Sequence, residues 1–228
     1  KEEEAILLKQ TFSQSLNLSQ KEISFKDQKT NNYSDTINLF LRESQSLFTE
    51  DNDVDIFADG NEKFAQLKKD ILSAKKYIYI EYYIIREDGL GREIINLLAQ
   101  KASEGLEVKL IYDGMGCIRV SKGFFDPLLN AGGKAVEFFP PTLPYINLRV
   151  NFRNHRKLVV IDGSIGYVGG INIGDEYLGK SKKFGFWRDV HLKIVGSSVK
   201  DIEIRFLLDW RFASGEEVHL RNLLNTGT

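Results

Sequence analysis

The chain holds little that crosslinks or spans. Its 228 residues include a single cysteine, Cys117, so no disulfide can form within it and a cysteine-rich metal cluster is excluded. Inert packing is the expected role for that thiol. The three histidines, His155, His191 and His219, are dispersed without the spacing of a metal site, so no metal and no cofactor is expected. No apolar run approaches the ~18–20 residues of a membrane-spanning helix, and no signal-peptide core is present. The chain itself is therefore expected to be soluble. Because it opens on Lys1 and not on methionine, it is expected to be a piece of a longer protein. Charge of one sign is also lacking: 31 Lys and Arg stand against 32 Asp and Glu, which argues against the broad basic surface of a nucleic-acid binder.

What is present suffices for a core. At 42 % hydrophobic residues, a chain of this length can bury one generous α/β domain without staples. The charge is unevenly placed: residues 145–193 carry nine Lys and Arg against four Asp and Glu, and the remainder carries −6. A locally positive region on a slightly acidic body suits an anionic substrate, although a solvated charged face gives the same asymmetry.

Residues 1–50 are rich in Gln, Ser, Asn and Lys and read as an N-terminal extension, with helices possible at Ala5-Ile6-Leu7-Leu8 and Ile37-Asn38-Leu39-Phe40-Leu41. Residues 51–228 form the main domain. Phe64, Leu67, Ile71 and Ala74 recur at helical spacing behind Asp59-Gly60-Asn61. A β-branched and aromatic strand at 77–85 follows, then a helix bearing Ile94, Ile95, Leu97 and Leu98, and a strand at 108–112. A helix at 121–129 and a strand at 135–139 complete this half. The alternation predicts a mixed, mostly parallel sheet with helices on both faces. Farther on, strands at 156–161 and 165–168 flank Asp162-Gly163, a hairpin signal. A strand at 186–195 should place Asp189, His191 and Lys193 on one face, before a closing helix bearing Val199, Ile202, Phe206 and Trp210.

The chemistry concentrates in Asn154-His155-Arg156-Lys157-Leu158-Val159-Val160-Ile161-Asp162, followed by Gly169-Gly170-Ile171-Asn172. Alternation along a strand projects His155 and Lys157 together. An imidazole beside an ammonium serves phosphate chemistry: Lys157 neutralises nonbridging oxygens while His155 attacks phosphorus. Asn172, after a glycine-rich turn, can donate to the same oxygens. Asp162 has the opposite parity and is expected to hydrogen-bond structurally within the motif. An isolated H-x-K is weak; the added aspartate, apolar spacer and Gly-Gly-x-Asn tail make chance agreement far less frequent.

These residues resemble the phospholipase D superfamily, whose motif is H-x-K-x4-D followed by G-[SG]-x-N. Within it the match is to the bacterial cardiolipin synthase branch, carried also by Arg153, Asp162-Gly163, Trp187-Arg188-Asp189-Val190-His191, Tyr79-Ile80-Glu81-Tyr82-Tyr83 and Ile111-Tyr112-Asp113-Gly114. The resemblance implies a metal-free mechanism. One motif histidine forms a phosphohistidine, the histidine of a second motif protonates the leaving alcohol, and an incoming alcohol resolves the intermediate. It implies His155 as nucleophile or acid–base partner within a catalytic set of His155, Lys157, Asp162 and Asp189, the last orienting the imidazole. Lys157, Asn172 and Arg153 would bind phosphate. Glu81, Asp113 and His191 either line a head-group pocket or serve structurally: Glu81 and Asp113 as loop caps or paired charges, His191 as a satisfied core histidine.

The motif occurs once, whereas the implied reaction needs two. Three readings follow. The chain is one catalytic half of a membrane-associated enzyme that joins two phosphatidylglycerol molecules and releases glycerol, inactive alone and completed by a second motif-bearing half. Alternatively it is a single-motif homodimeric phosphodiesterase or nuclease, or a non-catalytic domain binding anionic lipid. The first is preferred, with phosphatidylglycerol and a membrane surface as partners and no nucleic acid expected.

Overall fold

The computed structural model describes residues 27–43, 48–139 and 153–218. They belong to two compact units, one of which is Asn52–Val218. In the other, two helices are described, α1 (Gln28–Asn31) and α2 (Ser34–Glu43); the latter includes the apolar run at 37–41. The helix expected at Ala5-Ile6-Leu7-Leu8 lies outside the described residues, as does His219.

The Asn52–Val218 unit runs β1 (Asp53–Phe57), α3 (Gly60–Ser73), β2 (Tyr77–Tyr82), α4 (Gly89–Ser103), β3 (Glu107–Asp113), α5 (Asp126–Asn130), β4 (Lys134–Phe138), β5 (Lys157–Ile161), β6 (Ile165–Gly169), a 3₁₀ turn (Asp175–Leu178), β7 (His191–Val195) and α6 (Val199–Ser214). The strands form one seven-stranded sheet in the order β1-β7-β6-β5-β2-β3-β4. It is mixed, but parallel order is confined to β2-β3-β4. The other four pairings are antiparallel, which corrects the expectation of a mostly parallel sheet. The physical reason is connection length: helical crossovers return β3 and β4 parallel, whereas the tight turn after β5 can only reverse the chain.

That turn is built as its residues demand. Asp162 and Gly163 both adopt positive φ, 53° and 67°, and Ser164 N–H donates to Ile161 C=O at 3.1 Å, closing a type I′ hairpin. The helices start where acidic caps allow. Asp59 accepts from Asn61 N–H at 2.8 Å to open α3, and Asp88 accepts from Gly91 N–H at 3.0 Å to open α4.

Phe64, Leu67 and Ile71 of α3 and Ile94 and Leu98 of α4 bury against Ile78, Ile80, Val159 and Ile161 on one sheet face. Each such side chain contributes about 1.5–3 kcal/mol of transfer free energy. On the other face α6 lays Phe206 flat on Tyr79, ring centroids 4.9 Å apart, with Trp210 fully buried beside it. Four elements differ from expectation; the strand at 77–85 ends at Tyr82. The strand at 186–195 shortens to His191–Val195, because Trp187 leaves the ladder to pack on Tyr177, 5.1 Å between rings. The helix at 121–129 contracts to Asp126–Asn130, with Pro127 in its first turn. Strand β1 was not foreseen; its alternating Asp53, Val54, Asp55 and Ile56 lie on an exposed sheet edge, where burial leaves no apolar signature.

Candidate active site

The hairpin β5–β6 carries its chemistry at the end opposite the Asp162 turn. His155 precedes β5 and its imidazole is solvent-exposed, while Lys157, the first residue of the strand, is buried. Lys157 Nζ lies 3.0 Å from His155 Nδ1 and 3.2 Å from Nε2, and donates to the His155 carbonyl at 2.7 Å. The Tyr83 ring backs both groups, 4.6 Å from the imidazole and 5.4 Å from the amine. Burial, and next the Lys157 charge, holds the His155 pKa below the ordinary imidazole value. The ring is thus neutral near pH 7, with a lone pair available for attack on phosphorus. Burial also lowers Lys157 to about 8, against the pull of the Asp189 carboxylate, so its charge persists but is weakly held.

Asn154 fastens the motif from below. Its N–H donates to Asp113 Oδ2 at 3.3 Å, and its amide Nδ2 donates to Glu81 Oε1. Its Oδ1 accepts from Arg156 N–H at 3.2 Å and from the Arg156 guanidinium at 3.3 Å. Arg156 in turn pairs with Asp209 of α6 at 2.9 Å. The residues on both sides of His155 are therefore pinned while its ring stays open. Burial, followed by the neighbouring Asp209 charge, raises Glu81 to about 8, so this carboxyl pair holds a proton at neutral pH.

Glu81 and Asp113 meet at Asn154, whereas His191 lies apart from both, which corrects the expectation of one pocket for all three. Glu81 faces α6, with Tyr77 and Tyr79 of its strand. Asp113 serves both the turn and the motif: its Oδ1 accepts from Met115 N–H at 2.9 Å and Gly116 N–H at 3.0 Å, its Oδ2 holds Asn154, and its charge acts on His155. His191 lies on the opposite face from Glu81, under α3, wholly buried. Burial, followed by the charges of Lys63 and Lys157, drives its pKa down to about 2, so it stays neutral.

Asp189 is corrected likewise. It precedes β7 and lies outside that strand, and its Oδ1 accepts from Val190 N–H at 2.7 Å. No hydrogen bond joins it to His155 among the described residues; its charge acts on Lys157. A Cβ at Gly170 would displace the Asp189 carboxylate from this position.

Asp162 is far from the chemistry. Its carboxylate accepts from Lys75, Lys76 and Tyr77 N–H at 2.8, 2.7 and 3.0 Å, clamping the α3–β2 connection to the hairpin. Asn172 braces the site: Oδ1 accepts from Ile84 N–H at 3.1 Å and Nδ2 donates to Tyr177 OH at 2.9 Å, which leaves one amide hydrogen for a ligand. Arg153 stands half-buried two residues before His155.

Sequence reasoning missed Lys63 and Asp70, both buried on the inner face of α3. Lys63 Nζ donates to Tyr82 OH at 2.6 Å, and burial lowers its pKa well below the usual lysine value. Asp70 accepts from Tyr167 OH and pairs with Lys193 at 2.8 Å. The signal was available: two ionisable residues seven apart on the stripe of Phe64, Leu67 and Ile71.

Fold and site together define an α/β domain of the phospholipase D type, with an exposed histidine held against a buried lysine at one end of a mixed sheet. The family model described as "Cardiolipin synthase, PLD-like domain" matches residues 67–186, and the chain belongs to that family. It is 55 % identical over 178 residues to a cardiolipin synthase of Staphylococcus aureus (strain N315), covering 78 % of this chain and 36 % of that protein. It is 49 % identical over 197 residues to a cardiolipin synthase of Listeria innocua, covering 86 % of this chain and 41 % of the relative. The chain thus spans well under half the length of these relatives.

Among solved structures, NucT from Helicobacter pylori superposes with a TM-score of 0.54 at 19 % identity, covering 71 % of this chain and 98 % of that one. A phosphatidylserine synthase from Haemophilus influenzae gives 0.54 at 18 % identity, covering 75 % and 41 %. These two likenesses speak to the fold.

Proposed function

We propose that residues 51–228 are one catalytic half of a cardiolipin-forming phosphatidyltransferase, with residues 1–50 an extension. The observation that supports this best is the neutral, exposed His155 imidazole held against Lys157, in a chain of the cardiolipin synthase family. His155 attacks the phosphorus of phosphatidylglycerol; a P–N bond forms, the P–O bond to glycerol breaks, and the departing oxygen takes its proton from the acid of a second motif-bearing half. The hydroxyl of another phosphatidylglycerol then attacks the phosphohistidine. Its proton returns to that acid, cardiolipin leaves, and His155 is regenerated. Lys157, Arg153 and the unused amide hydrogen of Asn172 bind the phosphoryl oxygens, and Asp189 sustains the Lys157 charge. Asp162 contributes by fixing the hairpin.

The second half is supplied by the parent chain or by another copy, and the working enzyme sits at the cell membrane. Among the described residues no helix is long and apolar enough to cross a membrane. The test places His155→Ala in a protein carrying this half and a second motif, and follows glycerol release and cardiolipin formation from phosphatidylglycerol. Loss on the order of a thousandfold or more is expected; full activity would overturn the assignment. DNA cleavage by the isolated chain as a dimer, with phosphatidylglycerol untouched, would favour the single-motif phosphodiesterase instead.

A further inference from the structure

Residues 180–190 leave the site as an exposed loop of unusual composition. Phe184, Phe186 and Val190 are 47 %, 68 % and 51 % exposed, far more than a soluble surface normally leaves aromatic side chains in one short segment. Between them and around them stand Lys180, Lys182, Lys183 and Arg188, with no carboxylate from 180 to 188. Lys180 is engaged by Asp175 at 3.1 Å, whereas Lys182, Lys183 and Arg188 are exposed.

The loop is folded. Gly185 N–H donates to the Ser181 carbonyl at 2.8 Å and Phe184 N–H to Ser181 Oγ at 3.4 Å. Gly185 takes φ of 63°, so a fixed turn sets Phe184 and Phe186 on either side of it. Trp187 anchors this turn inward, edge-on to Phe184 at 5.6 Å and to Tyr177 at 5.1 Å. Tyr177 OH accepts from Asn172, so two aromatic contacts, Phe184–Trp187 and Trp187–Tyr177, link the apolar tip to the Gly-Gly-x-Asn brace, and Asp189 at its far end acts on Lys157.

We propose that residues 181–190 are a membrane-docking loop that seats this half on an anionic phospholipid surface, with Phe184 and Phe186 in the interfacial layer and Lys182, Lys183 and Arg188 against head-group phosphates. Aromatic rings gain most at the boundary between head groups and acyl chains, and lysine and arginine stems reach from there to phosphate. Each cation near an anionic leaflet strengthens binding about fivefold. Duplex DNA would reward the cations but not two protruding phenylalanines. Docking here brings lipid phosphate to His155 without lifting the substrate fully from the bilayer. The proposal rests on the reading that the substrate is a membrane phospholipid.

The 228-residue chain is to be sedimented with vesicles of equal phosphatidylglycerol and phosphatidylcholine, and with phosphatidylcholine alone. Binding to the mixed vesicles only is expected, reduced on the order of tenfold in Phe184→Ser/Phe186→Ser and several-fold in Lys182→Gln/Lys183→Gln, with thermal unfolding of both variants unchanged. Acyl-chain spin labels in the mixed vesicles should quench Trp187 fluorescence while the fully buried Trp210 stays bright. Equal binding of the phenylalanine variant, no binding by the parent chain, or binding carried instead by duplex DNA would overturn the loop assignment. The transfer reading fails by a different result: no cardiolipin from dispersed short-chain phosphatidylglycerol by a protein carrying both halves, whatever the vesicle binding.

Discussion

The side-chain amide of Asn154 donates to the buried carboxyl of Glu81, a residue 73 positions earlier in the chain. The contact joins β2 to the motif loop, and through Arg156 and Asp209 it reaches α6 on the same face. His155 can be exposed and still be held, because its neighbours on both sides are bound to buried groups.

Asn154→Ala removes this hub. It strands the Glu81 carboxyl and the Arg156 N–H, and a loss of about 2–4 kcal/mol is expected in urea unfolding, by the cost of buried polar groups left unpaired. If unfolding were unchanged, the motif loop would not depend on this contact.

The Glu81 carboxyl titrates about 8 in the folded chain, raised by burial and then by Asp209, against 4.5 ordinarily. The folded state therefore holds the proton more tightly than the unfolded one. The stability this carries is complete below pH 4.5, erodes as pH rises, and is lost above about 8. Glu81→Gln, a fixed mimic of the protonated form, should flatten the fall in stability between those limits. Above pH 8.5 it should exceed the parent chain by on the order of 1–3 kcal/mol. Parallel stability–pH curves for the two proteins would refute this.

Asp189 acts on Lys157 by charge. Asp189→Asn removes the one attraction that opposes burial, so the Lys157 pKa should drop below its present value of about 8. The ¹³Cε titration of Lys157, assigned by comparison with Lys157→Arg, reads this directly. A Lys157 titration unchanged in Asp189→Asn would show that the carboxylate serves something else.

At the far end of the hairpin, burial tends to raise the Asp162 carboxyl, but the N–H donors of Tyr77, Lys75 and Lys76 together bring it below its ordinary value. Its contribution is present above the unfolded pKa and is lost as pH falls through the folded one. Asp162→Asn keeps a residue tolerant of positive φ and the oxygen that serves Lys76 and Tyr77, but sets an amide donor against Lys75 N–H, so it removes the charge and one hydrogen bond together. A loss of about 1–2 kcal/mol at pH 7, vanishing under acid, is expected from denaturant melts.

A buried lysine with a tyrosine hydroxyl as its partner should be dispensable to stability. Lys63→Met fills the same space under α3, and a change within about 1 kcal/mol at pH 7 is expected, with a shallower fall in stability as pH drops below 10.5, because the folded chain no longer carries an amine that binds its proton less tightly than the unfolded one. A large loss in a thermal melt at neutral pH would mean that the Lys63–Tyr82 contact holds α3 in place.

Much of the site was legible along the chain because its determinants are local. A histidine and lysine two residues apart must meet at a strand end, and Asp162-Gly163 encodes its own type I′ turn through positive φ. Helical spacing foretold the stripe of Phe64, Leu67 and Ile71, and Asp59 marked where α3 begins. What spacing could not give was partnership across distance. Whether Asp189 would reach His155 or Lys157 depends on where the loop before β7 turns, and that is set by Trp187 packing on Tyr177. Glu81 and His191 looked alike as polar residues in apolar strands; only the register of β2, β5, β6 and β7 sends them to opposite faces. The parallel share of the sheet was overestimated for the same reason, since strand order follows from which hydrophobic faces find each other. By itself, then, the sequence determined the motif, its hairpin and the meeting of His155 with Lys157, because each depends on residues close in the chain. Tertiary structure alone decided which carboxylates are buried, which share a proton and which steer Lys157. Burial and charge proximity are properties of the packed sheet and are not written at any one position.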